Sequence, residues 1–188
     1  MPDEALAGFV KETAEGLGVT GAAVGVWADG REVFACHGVT SVENPLPVRP
    51  DTLFLIGSVT KTFTATAVMR LVADGKVALD APVRRYVPEL ALADERATDQ
   101  ITVLNLLNHT SGLDWGVIGD FGEGDDALAR YVSALAGLPL IAPPGARASY
   151  SQAGFNLAGR IVEKVTGLTY EKAVASACPA ASSSATTS

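Results

Sequence analysis

The order of elements in the sequence predicts an α+β chain. Two apolar runs joined by an Asp-Gly pair read as a β-hairpin near the N-terminus, and the residues after it carry helical periods separated by proline- and glycine-marked loops. With 188 residues, 48% of them apolar and 19% charged, the chain has the size and composition of one globular domain. Disordered, collagen-like and disulfide-scaffold classes are excluded.

Residues 3 to 17 place Leu6, Phe9 and Val10 among Glu4, Lys11, Glu12 and Glu15, the pattern of an amphipathic helix closed by Gly16 or Gly18. The hairpin pairs the run from Gly21 to Trp27 with that from Glu32 to Cys36, and Asp29-Gly30 supplies the positive φ of a tight turn. Both runs are apolar on both faces, which predicts a sheet covered by helices on each side. A loop through Pro45, Pro47 and Pro50 leads to Phe54-Leu55-Ile56-Gly57, and a helix is expected from Ser58 to Asp74, ended by Gly75. Its apolar residues Val59, Phe63, Ala67 and Leu71 recur every four positions beside Val68 and Val72, so it is expected to be buried nearly all round. A short helix capped by Thr102 is expected up to Leu107, another from Asp125 to Ala136, and a third from Gly154 to Val165 with Gly167 as its stop. The segment 175–188 turns to Ala, Ser, Thr, Cys and Pro and is expected to lack structure, leaving 1–174 as the folded portion.

Charge and motifs narrow the function. A net charge of −7 with no Lys/Arg cluster argues against nucleic acid and against an anionic membrane surface. No segment approaches the 18 apolar residues of a membrane span, and the first residues show no export signal, so a cytoplasmic setting is expected. Cys36 and Cys178 allow at most one bridge. With only His37 and His109, no H-E-x-x-H and no C-x-x-C, no metal site and no cofactor are expected. No G-x-S-x-G elbow surrounds Ser58, and Gly119, Gly122 and Gly124 read as a surface loop.

The sharpest feature is Ser58-Val59-Thr60-Lys61 at the start of the expected buried helix. Residues three apart on a helix are neighbours, which brings the Lys61 amine within reach of the Ser58 hydroxyl. A serine needs a base to become a nucleophile. Phe54, Leu55, Ile56 and Phe63 are expected to strip water from Lys61 and so favour the neutral amine that such a base requires. The competing reading of the tetrapeptide alone is a Ser N-cap with a solvent-seeking Lys.

Residues 52 to 75 closely resemble the nucleophile helix of the serine hydrolases grouped with class C β-lactamases, penicillin-binding carboxypeptidases and related esterases. Further segments match in family order: Leu79-Asp80-Ala81-Pro82-Val83, residues 101–113 with His109-Thr110-Ser111-Gly112, Pro143-Pro144-Gly145, and residues 150–159. The resemblance implies an α/β sandwich plus helical subdomain, β-lactamase/penicillin-binding-protein-like, here lacking the C-terminal sheet strands. It implies catalytic roles for Ser58 as acylated nucleophile, Lys61 as base and Tyr150 as proton shuttle. Gln152 stands where the family usually has Asn, and its longer side chain is expected to displace the amide that meets Lys61 and substrate. His109 matches a structural loop. Lys164-Val165-Thr166-Gly167 mimics the family's third motif but ends an expected helix, so Gly167 is read as a cap. The implied reaction is hydrolysis of an amide or ester carbonyl of a β-lactam, D-peptide or ester through a Ser58 acyl-enzyme. The alternative is a truncated, non-catalytic relative that binds or slowly acylates without turnover. Segment 175–188 resembles nothing in the family, and a frameshift or premature stop is the expected cause. The partner is a small-molecule or peptide substrate, with self-association expected through the open sheet edge.

Overall fold

The structure, a computed structural model, describes residues 3–178 and divides in sequence between Ile56 and Gly57 into two compact units. The first holds helix α1 (Asp3–Leu17) and the antiparallel strands β1 (Gly21–Ala28) and β2 (Arg31–Gly38). Ala28 pairs with Arg31 across Asp29 and Gly30, whose φ values of 50° and 74° are those of a tight hairpin turn matched to strand twist. Helix α1 lays Leu6 and Val10 on Val24, Val33 and Ala35, all on one face of the ribbon.

The opposite face departs from expectation. Trp27 is 71% exposed and Phe34 45%, so one layer of helix covers this sheet rather than two. Apolar composition shows that a face favours burial, whereas burial itself needs an element to lie over it.

The second unit is helical. A 3₁₀ turn, Gly57–Val59, opens α2 (Thr60–Ala73), followed by α3 (Glu95–Gln100), α4 (Val103–Leu107), α5 (Ala127–Ala134), α6 (Gln152–Thr166) and α7 (Tyr170–Ala177). Helix α6 is central because its apolar positions leave little polar surface: Ala153, Leu157, Ala158, Ile161 and Val162 are buried against α2, α4, α5 and α7. It starts at Ser151, whose hydroxyl accepts from the Gly154 N–H, and stops at Gly167 in the left-handed region. Leu157 is fully buried, so Leu157→Ala is expected to destabilise this unit by about 2–5 kcal/mol, read as a lower denaturation midpoint.

Three expectations need correction here. Helix α2 buries Thr64, Ala67, Val68 and Leu71, but Val59, Phe63 and Met69 are exposed, so it is half-buried rather than enclosed. Its N-cap is Val59, with no side-chain capping bond, which removes the Ser58-cap reading. Helix α7 carries regular structure through Ala177, into the segment expected to lack it, while residues 179–188 lie outside the described part. Cys36 and Cys178 are free thiols, and no described helix is long and apolar enough to cross a membrane.

Candidate active site

Ser58 sits in the 3₁₀ turn that leads into α2, and Lys61 lies one turn on. The Lys61 Nζ is 3.4 Å from the Ser58 Oγ, beyond the usual range for an N–H···O bond. The Tyr150 hydroxyl, in contrast, lies 2.5 Å from the same Oγ, the short separation characteristic of an O–H···O bond with shared charge. Lys61 spends its short bond elsewhere, donating to Gln152 Oε1 at 2.6 Å. Gln152 in turn donates from Nε2 to Asn156 Oδ1 at 3.2 Å. The extra methylene therefore does not carry the Gln152 amide out of reach of Lys61. All four residues singled out in the sequence meet within this cluster.

Two loops hold Tyr150 in place. Thr102 and Asn105 form a reciprocal cap on α4, and Asn105 continues into the next loop by donating to Thr110 Oγ1. Gly112 then passes so close to Ala142 that a Cβ would fall 2.1 Å from its carbonyl oxygen, with φ at 79°. Across this contact Gly145 N–H donates to the Thr110 carbonyl and Ile141 N–H to that of Gly112. His109 closes the clamp from both sides of Tyr150. Its carbonyl accepts the Ser149 N–H at 2.8 Å, and its ring Nδ1 accepts the Ser151 N–H at 3.1 Å. The imidazole also stacks on the Tyr150 ring at 4.7 Å and on Phe155 at 5.1 Å, while Trp115 packs 5.5 Å from Tyr150 on another side. Holding this pose puts His109 at φ 61°, an uncommon conformation for a residue other than glycine.

The electrostatics follow from these contacts. Lys61, which bonds toward Tyr150 and lies 4.8 Å from its ring centre, is the main influence holding the phenol below its ordinary value of 10.0; the bond with Ser58 adds to it. His109 is lowered from 6.5, first by burial and then by the Lys61 charge, in keeping with a neutral ring whose Nδ1 accepts a proton donor. A histidine depressed in the folded state contributes stability that is complete above 6.5 and is lost as pH falls through the lower folded value. The denaturation midpoint is therefore expected to decline below about pH 6.5, and His109→Gln should remove that component of the decline.

The desolvation expected for Lys61 takes a different form. Phe54, Leu55, Ile56 and Phe63 are all exposed, as is Ser58. Phe155 and Tyr150 are the aromatic neighbours of the amine instead, with the Phe155 ring centre 5.6 Å away. His109, Ser151, Phe155 and Asn156 are the participants that sequence reasoning left out of the site; the family-like loop containing His109 and the family-like segment 150–159 were the available signals.

A hydroxyl, an amine and a phenol gathered at the starts of two helices fit the class that the resemblance implied. The chain belongs to the β-lactamase family, whose model matches residues 6–176. It is 40% identical over 156 residues to penicillin-binding protein 4 of Amycolatopsis lactamdurans, covering 83% of this chain and 41% of that protein. It is 39% identical over 146 residues to esterase EstB of Burkholderia gladioli, covering 70% and 37%. Among solved structures, a class C β-lactamase superposes with a TM-score of 0.74 at 29% identity, over 92% of this chain and 46% of that one. The chain thus spans about two fifths of the length of these curated relatives.

Proposed function

We propose that the chain carries the nucleophile and proton-transfer residues of a serine hydrolase acting on an amide or ester carbonyl, as in a β-lactam, a D-peptide or an ester. The 2.5 Å approach of Tyr150 to Ser58 is the observation that carries this reading. Tyr150, in its ionised form, takes the Ser58 proton as Oγ attacks the carbonyl carbon. When the tetrahedral species collapses, the bond to the leaving group breaks and Tyr150 returns the proton to it. Water then cleaves the acyl-serine by the same proton path. Lys61 acts as the cation that favours the phenolate, rather than as the base assigned to it from the sequence, because its own distance to Oγ is 3.4 Å. Gln152 orients Lys61 and has a second role against the substrate.

Openness favours a variant of this reading in which acylation outruns turnover. Ser58 is exposed and Tyr150 is 42% exposed, so water screens the charges that would stabilise the second transition state. Self-association through the hairpin edge belongs to the same reading, and elution as a monomer on size-exclusion chromatography would remove it.

A fluorophosphonate probe or a labelled penicillin tests the nucleophile. Mass addition to the wild-type chain, mapped to Ser58 and lost in Ser58→Ala, is the expected result. An unmodified wild-type chain would contradict it. Release of product from a chromogenic ester or β-lactam, beyond one equivalent, separates turnover from a stalled acyl-enzyme.

A further inference from the structure

A cleft of about 520 Å³ opens at Ser58 and runs between α2 and α6 toward the start of α7. Its apolar walls come from Leu128 on α5 and Phe155 on α6. Gly159 keeps it open, since a Cβ there would meet Leu128 Cδ1 and the Tyr170 ring, each at 3.3 Å. Thr64 marks the far end, six residues beyond Ser58 along the helix, or about 9 Å at about 1.5 Å per residue.

The polarity of that far end is what distinguishes one ligand from another. Thr64 Oγ1 has the Thr60 carbonyl as an acceptor at 3.2 Å, and with the threonine proton on that bond the phenol is the donor in the 2.7 Å pair between Thr64 and Tyr170. Both hydroxyl hydrogens are then used within the protein, which leaves the Tyr170 oxygen to the cleft as an acceptor. Glu171, the next residue and the bearer of a carboxylate, also lines the cleft, while Lys172 does not. The backbone N–H of Tyr170 is already taken by Glu163 Oε1 at 3.2 Å, so the start of α7 does not present that donor to an anion.

From this arrangement we infer that the cleft receives the acyl side chain of the substrate, and that it selects a chain with an apolar middle and a terminal ammonium group about 9 Å from the carbonyl. The inference rests on the hydrolase reading above for the position of the carbonyl at Ser58. Lys61 at one end and Glu171 at the other give the cleft a polarity that a terminal carboxylate would oppose.

Three nitrophenyl esters of similar length test it: hexanoyl, ω-aminohexanoyl and the half-ester of adipic acid. Acylation of Ser58 by each would release nitrophenolate, so rates are read from colour and from adduct mass. The expected order is aminohexanoyl, then hexanoyl, then adipoyl. Glu171→Gln should lower the aminohexanoyl-to-hexanoyl ratio by about two- to fivefold, as suits an exposed carboxylate. Gly159→Val should lower the ratio of the six-carbon esters to the acetyl ester by about tenfold or more. Leu128→Ala, which widens the cleft, should raise that ratio.

Binding without chemistry keeps the two readings apart. In Ser58→Ala, ω-aminohexanamide should shift the backbone amide resonances of Gly159 and Glu171 at lower concentration than hexanamide does. That result with no acylation of the wild type would sustain the cleft and refute the nucleophile. Acylation with equal rates for the three esters, or equal binding of the two amides, would overturn the cleft.

Discussion

Tyr150→Phe is expected to slow acylation of Ser58 by about 10²–10⁴-fold, the range for loss of a positioned proton-transfer group. The substitution is conservative by design. A phenylalanine ring retains the stacking on His109 and Trp115 at 4.7 and 5.5 Å, and the backbone clamp around position 150 uses the neighbouring Ser149 and Ser151. What disappears is the hydroxyl 2.5 Å from Ser58 Oγ. Rates of fluorophosphonate labelling and of nitrophenyl acetate cleavage measure the effect, with circular dichroism as the control for folding. A loss of less than about tenfold would assign the serine proton to another group.

Lys61→Met carries the next largest effect, an expected loss of about 10²–10³-fold, comparable to removing one positioned charge-stabilising donor. Methionine keeps an unbranched apolar stem in place of the lysine side chain. It removes the cation beside the Tyr150 ring and leaves Gln152 Oε1 without its 2.6 Å donor. The two variants differ in their pH profiles. Because Tyr150 is depressed in the folded protein, the wild-type rate should rise with pH through a limb lying below 10.0. In Lys61→Met that limb should move upward, whereas in Tyr150→Phe it should vanish.

Local chemistry made much of the fold readable. Asp29-Gly30 specified the hairpin because few other pairs tolerate positive φ at both turn positions, and Gly167 marked the end of α6 for a related reason. The spacing of Ser58 and Lys61 already put both on one helical face. Other features were set by contacts distant in sequence. His109 reaches Ser151 across 42 positions, so no local pattern in its sequence reported the clamp on Tyr150. The four-residue period of α2 revealed an apolar stripe, but exposure of Val59, Phe63 and Met69 depends on what else packs there. Helix α7 was hidden by its Ala- and Ser-rich end, although its start is held by Glu163 accepting from the Tyr170 N–H. Side-chain length alone predicts a displaced Gln152 amide and leaves its bond to Lys61 open; its torsional freedom and the Asn156 bond let it meet the amine.

Activation of Ser58 by a phenolate held beside a lysine cation is most directly tested by titrating the phenolate itself. Ultraviolet difference spectra of the wild type minus Tyr150→Phe isolate this tyrosine from the other three of the sequence. The account predicts half-ionisation below pH 10.0, with an upward displacement in Lys61→Met. Half-ionisation at or above pH 10.0 in both proteins would contradict it.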